Sequence, residues 1–128
     1  MLVKLRIPAA PAVLTAALKG VVAVNRVLMK EAMVGGRLGF APLYDSGVRY
    51  VPEPRGSENW QNVADLYRTG RGDCEDLACT RAAELQLQGE DAEAVVRPSG
   101  RGRYHALVLR GDGTVEDPSL ALGMKGRS

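Results

Sequence analysis

The sequence predicts an α+β fold for its 128 residues. Two segments, residues 12–33 and 74–88, repeat their apolar side chains with the period of an α-helix. From residue 92 onward the period changes to two, which is the period of β-strands. The sequence Gly111-Asp112-Gly113 lies between two such alternating runs and indicates a hairpin. We therefore expect helices packed against a small antiparallel sheet.

Length and composition fit one domain, residues 1–128, with one hydrophobic core. Hydrophobic residues make up 45% and charged residues 25% of the chain, as in globular proteins rather than disordered or membrane proteins. The formal net charge is +2 and only 5% of the residues are aromatic. Because neither a strong basic field nor a base-stacking platform is indicated, no nucleic-acid partner is expected.

The first predicted helix, residues 12–33, is amphipathic. Its expected inward face carries Leu14, Leu18, Val21, Val24, Leu28 and Ala32, and its polar side carries Thr15, Lys19, Arg26 and Lys30. No uncharged stretch reaches the roughly 18 residues that a membrane span needs, so no membrane partner is expected. The pattern continues to Met33, which favours a retained helix over a cleaved signal sequence. Met1–Ile7 alternates and could form a short strand.

The remaining predicted elements follow from apolar periods and from Gly and Pro punctuation. The first of them are a strand at Val48–Val51, a short helix at Trp60–Tyr67 and a loop at Thr69–Gly72. A longer helix follows from Asp73 or Cys74 to Gln88, and its buried side is expected to carry Leu77, Ala78, Ala82 and Leu85. Strands are predicted at Ala92–Arg97, Tyr104–Arg110 and Thr114–Glu116, and Pro118 ends the last strand. The tail that contains Lys125 and Arg127 is expected to be mobile.

The chain has two cysteines, Cys74 and Cys79. On one helix their Cα atoms would be roughly 8 Å apart, which is beyond the reach of a disulfide. Two reduced thiols suit a cytoplasmic protein.

Cys74 lies where the predicted helix begins, in the segment Gly72-Asp73-Cys74-Glu75-Asp76. A thiolate in a first helical turn is stabilised by unpaired backbone N–H groups and by the helix dipole. Asp73 can cap this helix, with Asp76 as the acid of a capping box. The alternative is a well-capped helix that contains an ordinary buried cysteine.

His105 is the only histidine, and Asp117 follows the predicted hairpin. The hairpin brings Asp117 roughly opposite His105, where a carboxylate could orient the imidazole and the imidazole could act on the thiol of Cys74. Taken singly, His105 could be an ordinary strand histidine and Asp117-Pro118 an ordinary turn. Together the three residues predict a nucleophile, its base and an orienting acid.

The motif residues resemble a known family. Trp60, the run Gly70-Arg71-Gly72-Asp73-Cys74-Glu75-Asp76-Leu77-Ala78, then His105 and Asp117, are similar to the bacterial transglutaminase-like cysteine proteinases. The segment Gly113-Thr114-Val115-Glu116-Asp117-Pro118-Ser119, followed by Leu122-Gly123-Met124, resembles small phage-encoded members. The resemblance covers roughly residues 58–124, so residues 1–57 form an N-terminal strand and helix extension. Unlike papain-type enzymes, the chain has no tryptophan after Cys74.

The resemblance implies a papain/transglutaminase-like core with Cys74 as nucleophile, His105 as base and Asp117 as orienting residue. It implies a thiol hydrolase that cleaves peptide or amide bonds through an acyl-enzyme, with a protein or peptide as substrate. Transfer of the acyl group to an amine, as in transglutaminases, is an alternative. A second alternative is a phage structural or assembly protein without turnover, which docks on a virion or assembly partner through its N-terminal helix. Its location would then be the host cytoplasm or the virion.

The acidic side chains around Cys74 affect the pKa of the thiol and are candidate metal ligands. Negative charge from Asp73, Glu75 and Asp76 raises the pKa of a thiol, and a nearby cation would offset this effect. Some members of the family depend on calcium, so these carboxylates are candidate Ca²⁺ ligands, although no cofactor is expected to be required. The alternative is that they are caps and solvated charges. Gln61 and Asn62 are candidate oxyanion donors, and Glu116 is expected to be exposed.

Overall fold

The computed structural model describes residues 11–33, 35, 39–52, 60–99 and 104–125. The predicted strand at Met1–Ile7 and the last residues of the tail, 126–128, lie outside this part of the chain. The described residues contain four α-helices and two small sheets, one parallel and one antiparallel, which confirms the α+β class. In chain order the elements are α1 (Pro11–Glu31), β1 (Arg49–Tyr50), α2 (Val63–Thr69), β2 (Arg71–Gly72), α3 (Cys74–Leu87), β3 (Glu93–Pro98), β4 (Tyr104–Leu109), β5 (Val115–Glu116) and α4 (Pro118–Ala121).

The antiparallel sheet has the order β3-β4-β5, and α3 packs against it. The contact is made by small residues: Ala78 and Ala82 of α3 meet Ala94 of β3 and Ala106 of β4 in one buried cluster. Alanines let the helix approach the sheet closely, so the start of α3 lies near β4. The predicted helix, the strands and the hairpin between β4 and β5 are confirmed.

Helix α1 packs against both α3 and β3, but its inward face differs from the predicted one. Val24 was expected to face inward and is 44% exposed, whereas the neighbouring Asn25 is fully buried. The buried stripe consists of Leu18, Val22, Asn25 and Met29, which keeps the helical spacing. Asn25 lies in this stripe because its Oδ1 accepts a hydrogen bond of 2.8 Å from the N–H of Val63, at the start of α2.

The parallel sheet joins segments that were predicted as a longer strand and a loop. Arg49 lies opposite Arg71 and Tyr50 opposite Gly72, so part of the predicted Thr69–Gly72 loop is the strand β2. Helix α2 begins later than predicted because Asn62 caps its first turn by accepting a 2.9 Å hydrogen bond from the N–H of Asp65. The helix also ends later, at Thr69, where Gly70 adopts the left-handed conformation of a C-cap. Likewise, Pro118 does more than end a strand, since it is the first residue of α4.

By length and composition, Ala12–Glu31 of α1 meets the criterion for a helix that could cross a membrane. Core helices of soluble proteins and signal sequences meet the same criterion. The expectation that α1 does not span a membrane therefore stays a prediction.

Candidate active site

Cys74 is the first residue of α3, as predicted. Asp73 caps the helix: its Oδ1 accepts from the N–H of Asp76 at 3.1 Å, and Oδ2 of Asp76 accepts from the N–H of Asp73 at 3.2 Å. This reciprocal pair is a capping box in which the third helical residue is Asp rather than Glu. The cap fixes the direction of the first turn and therefore the position of the thiol.

The carboxylate of Asp76 is almost fully buried and is held by Gln61 as well. The backbone N–H of Gln61 donates to Oδ1 at 2.7 Å, and its Nε2 donates to Oδ2 at 3.1 Å and to the carbonyl of Arg71 at 2.9 Å. Both side-chain N–H bonds of Gln61 are thus used within the fold. Since Asn62 caps α2, the two residues that we considered as oxyanion donors have structural roles here.

His105 and Asp117 are hydrogen bonded. Nε2 of His105 lies 2.9 Å from Oδ2 of Asp117, and because a carboxylate can only accept, Nε2 carries the proton. The other oxygen of Asp117 accepts from the N–H of Leu120 at 3.2 Å, so Asp117 is also the cap of α4. Both carboxylate oxygens are fixed, and the imidazole is left with Nδ1 as the nitrogen that can act on another group.

The Cys74 thiol lies beside the strand that carries His105. The backbone N–H of Ala106, the next residue in β4, is directed at the sulfur and lowers the pKa of the thiol. Burial and the negative charge of Glu75 act more strongly in the opposite direction, so the pKa of Cys74 is raised above its ordinary value. The Sγ contacts Oε2 of Glu75 at 3.4 Å. Among the described residues no hydrogen bond joins Cys74 to His105. The thiol is therefore neutral at pH 7 and turned toward Glu75.

The carboxylates of Asp73, Glu75 and Asp76 fit a calcium ion poorly. Ca²⁺ takes six to eight oxygens, but both oxygens of Asp76 and one of Asp73 already accept hydrogen bonds within the fold. Within the described residues no group of three or more His, Cys, Asp or Glu side chains could hold a metal ion. Burial together with the neighbouring carboxylates raises the pKa of Asp73. A proton on Asp73 then reduces the repulsion between the three acidic side chains.

Glu116 was expected to be exposed, but it is half-buried at the centre of an ion-pair network. Its carboxylate binds Nε of Arg81 at 2.6 Å and Nη1 of Arg110 at 2.7 Å, and it accepts from the hydroxyl of Tyr44. Burial raises the pKa of Glu116, but these partners outweigh it and hold the pKa below its usual value. The network anchors β5 on α3, next to Asp117.

Tyr50 is a residue that the sequence reasoning did not single out. It lies in β1 opposite Gly72, and its backbone N–H donates to the carbonyl of Leu122 at 3.0 Å. Burial raises the pKa of its hydroxyl, and so do the charges of site groups, among them Cys74 and Asp117. Its position in a predicted strand was the only signal available, because the pairing that brings it to the site is between distant segments.

Cys79 and Trp60 both belong to the hydrophobic core. Cys79 is fully buried, and Trp60 packs on the main apolar cluster. Both cysteines are free thiols, as expected. The structure thus pairs His105 with Asp117 and places the Cys74 thiol beside Ala106, the residue that follows His105 in β4. No protein-family model, curated protein or solved structure matches this chain.

Proposed function

We propose that this chain is a thiol hydrolase of the transglutaminase-like cysteine peptidase type, acting on peptide or amide bonds. Its papain/transglutaminase-like core would span roughly residues 58–124. The observation that carries the proposal is the 2.9 Å contact between His105 and Asp117, beside a cysteine in the first turn of a helix. An imidazole held by a carboxylate and close to a thiol is the arrangement that nucleophilic acyl transfer needs.

The raised pKa of Cys74 favours general-base catalysis over a thiolate that exists before substrate binds. In the attack, Sγ leaves Glu75, forms a bond to the carbonyl carbon and gives its proton to Nδ1 of His105. The carbonyl π electrons move to oxygen, then the C–N bond breaks and the leaving amine takes the proton from the imidazole. Water next attacks the thioester with His105 as base, and releases the acid and the thiol. An amine in place of water would give acyl transfer.

The test is hydrolysis of fluorescein-labelled casein, which offers many different peptide bonds. The unchanged protein should cleave it, Cys74→Ala should not, and Cys74→Ser should be nearly inactive because a hydroxyl ionises less readily than a thiol. His105→Ala should be similarly severe, and Asp117→Asn should lower the rate by ~10²- to 10⁴-fold. Losses in double variants should not add, because the residues act as a unit.

Asp91→Asn, at an exposed aspartate away from the site, serves as the matched control and should cleave casein normally. Full activity of Cys74→Ala would disprove the thiol mechanism. Full activity of Asp117→Asn alongside an inactive Cys74→Ala would remove Asp117 from the orienting role. A glutamine peptide with a labelled amine in the same assays distinguishes transfer from hydrolysis.

One observation favours the second candidate, a structural or assembly protein that keeps the fold without turnover. The thiol contacts Glu75 rather than His105, and its pKa is raised. In that case α1, with Val24 and Val27 exposed, would dock on a larger phage partner. If casein and the glutamine peptide stay intact and iodoacetamide labels Cys74 no faster in the unchanged protein than in His105→Ala, this candidate replaces the hydrolase.

A further inference from the structure

Tyr50 has a hydroxyl group without a hydrogen-bond partner among the described residues. Its ring is half-buried and packs against an apolar cluster that contains Leu77 of α3 and Leu122. The ring is therefore fixed by packing, while the hydroxyl group makes no hydrogen bond to the described residues. The hydroxyl is not one of the buried side-chain atoms that lack a partner, so it is accessible to water and, in place of water, to an acceptor atom of a substrate.

The backbone around Tyr50 is tied to both segments that carry the site. The N–H of Val51 donates to the carbonyl of Gly72 at 2.8 Å, just before Asp73 and Cys74. The N–H of Tyr50 donates to the carbonyl of Leu122 at 3.0 Å, just after the helix that Asp117 caps. The backbone of Tyr50 is thus fixed between the chain entering α3, which Cys74 begins, and the chain leaving α4, which Asp117 caps.

The electrostatics agree with this position. Burial raises the pKa of the Tyr50 hydroxyl most, followed by the negative charge that Cys74, Asp73, Glu75 and Asp117 carry when they are ionised. These four groups belong to the first turn of α3 with its cap, and to the cap of α4, so the hydroxyl lies within electrostatic reach of Cys74 and Asp117. Its raised pKa keeps it protonated at neutral pH, and a protonated phenol can donate a hydrogen bond.

We propose that the Tyr50 hydroxyl donates a hydrogen bond to the carbonyl oxygen of the group that Cys74 attacks, and so stabilises the oxyanion. This inference rests on the proposed function. When the S–C bond forms, the carbonyl π electrons move to oxygen, and the phenol binds that oxygen without giving up its proton. Gln61, the candidate suggested by sequence, uses its side-chain N–H bonds within the fold and is not free to be this donor. Tyr50 would then touch the reacting atoms and count as a catalytic residue.

Two probes of Cys74 separate this role from a structural one. p-Nitrophenyl acetate acylates a thiol through an oxyanion, whereas iodoacetamide alkylates it by displacement of iodide, with no oxyanion. Tyr50→Phe keeps the ring and its packing. We expect it to lower the rate of Cys74 acylation by ~10- to 10³-fold, while the rate of alkylation changes less than twofold. Mass spectrometry identifies the modified cysteine, and Tyr104→Phe, at a more exposed tyrosine, should match the unchanged protein in both reactions.

Each outcome has a distinct meaning. Equal acylation of Tyr50→Phe and the unchanged protein would overturn the role of Tyr50 and leave the proposed function standing. A fall in both acylation and alkylation would also overturn it, because the phenol would then act on the thiol or its packing. If p-nitrophenyl acetate acylated the unchanged protein no faster than Cys74→Ala, the proposed function would fail, and the role of Tyr50 with it.

Discussion

At the scale of single residues, the ionisation of Cys74 is a competition between its neighbours. The helix start and the N–H of Ala106 favour the thiolate, but burial and the charge of Glu75 outweigh them. The sequence showed the acidic neighbours that raise the pKa of Cys74 as well as the helix start that shifts this pKa downward. The burial that reverses this shift depends on packing between α3 and the sheet, which no local pattern shows.

Glu75→Gln should therefore make the thiol more reactive. The substitution removes a negative charge and a carboxylate acceptor from the sulfur, so the pKa of Cys74 should fall. Below that pKa each unit of decrease raises the thiolate fraction tenfold, and we expect iodoacetamide to label Cys74 ~3- to 30-fold faster at about pH 8. Intact-protein mass spectrometry follows the rate, and buried Cys79 should stay unlabelled in the folded protein.

The matched control for that experiment is Glu93→Gln, which also removes one negative charge. Glu93 begins β3 and lies 3.9 Å from Lys19 in an exposed ion pair away from the thiol. Its loss should leave the labelling rate within twofold of the unchanged protein. Equal rates for the two variants would mean that the acceleration came from net charge, and an unchanged rate for Glu75→Gln would remove Glu75 from the control of the thiol.

At the scale of elements, the first turn of α3 is capped by carboxyl groups that resist ionisation. Burial and the charges of Glu75 and Asp76 raise the pKa of Asp73 well above its ordinary value of 3.8. As the pH rises above 3.8, an unfolded chain releases this proton while the folded chain keeps it. The contribution of Asp73 to stability is therefore complete below that pH and declines as the pH rises.

Asp73→Asn should reveal this decline, because asparagine caps a helix equally well but does not titrate. The variant should match the unchanged protein near pH 3 and become relatively more stable toward pH 7. Each unit of pKa shift is worth about 1.4 kcal/mol, so we expect a relative gain of at least that size. Urea unfolding at several pH values measures it, with Asp91→Asn as the exposed control. A difference that is independent of pH would refute the assigned protonation.

Elements with a sustained period were predictable, and elements made by pairing were not. Helices α1 and α3 and the β4–β5 hairpin followed from apolar spacing and from Gly111 and Gly113. Strand β1 was predicted, as the longer segment Val48–Val51, but its partner β2 is too short to show any period and exists because Tyr50 and Gly72 pair across the chain. The register of α1 was predicted wrongly at Val24, because an asparagine in an apolar stripe reads as solvent-exposed until its acceptor role for α2 is known.

The candidate site divides in the same way. Cys74, His105 and Asp117 could be proposed because each stands at a recognisable place: a helix start, an apolar strand and the end of a hairpin. Tyr50 and Glu116 could not be placed, since their roles arise from contacts between segments far apart in sequence. Local sequence patterns thus indicated the three candidate catalytic residues. The neighbouring residues that shift the pKa values in the site could be identified only from the three-dimensional structure.

At the scale of the whole molecule, Arg81 joins three parts of the fold. It pairs with buried Glu84 on α3 at 3.2 Å and with Glu116 on β5 at 2.6 Å, and its guanidinium lies 4.8 Å from the ring centre of Tyr44. Glu84 also accepts from the N–H of Leu43 at 2.6 Å, at the 3₁₀ turn that Leu43 begins. The arginine therefore compensates two carboxylates that are largely removed from water.

Arg81→Gln should destabilise the protein by about 2–4 kcal/mol, because it leaves Glu84 buried without its cation. The free energy of urea unfolding measures the effect. Arg68→Gln is the matched control: its partner Asp65 lies 3.0 Å away in an exposed pair, which should be worth less than about 1 kcal/mol. Equal losses from the two variants would mean that burial of Glu84 does not set the cost.

The bond from the Tyr50 N–H to the Leu122 carbonyl has a consequence for the order of events during synthesis. A ribosome delivers the thiol well before the strand with His105, and the β1 segment must wait for its partner beyond α4. Contacts of such long range close late and slow the folding of a chain. The nascent protein therefore exposes the Cys74 thiol without its base and without the shelter of β4 until translation has passed residue 109, and the β1 segment stays unpaired with Leu122 for longer still.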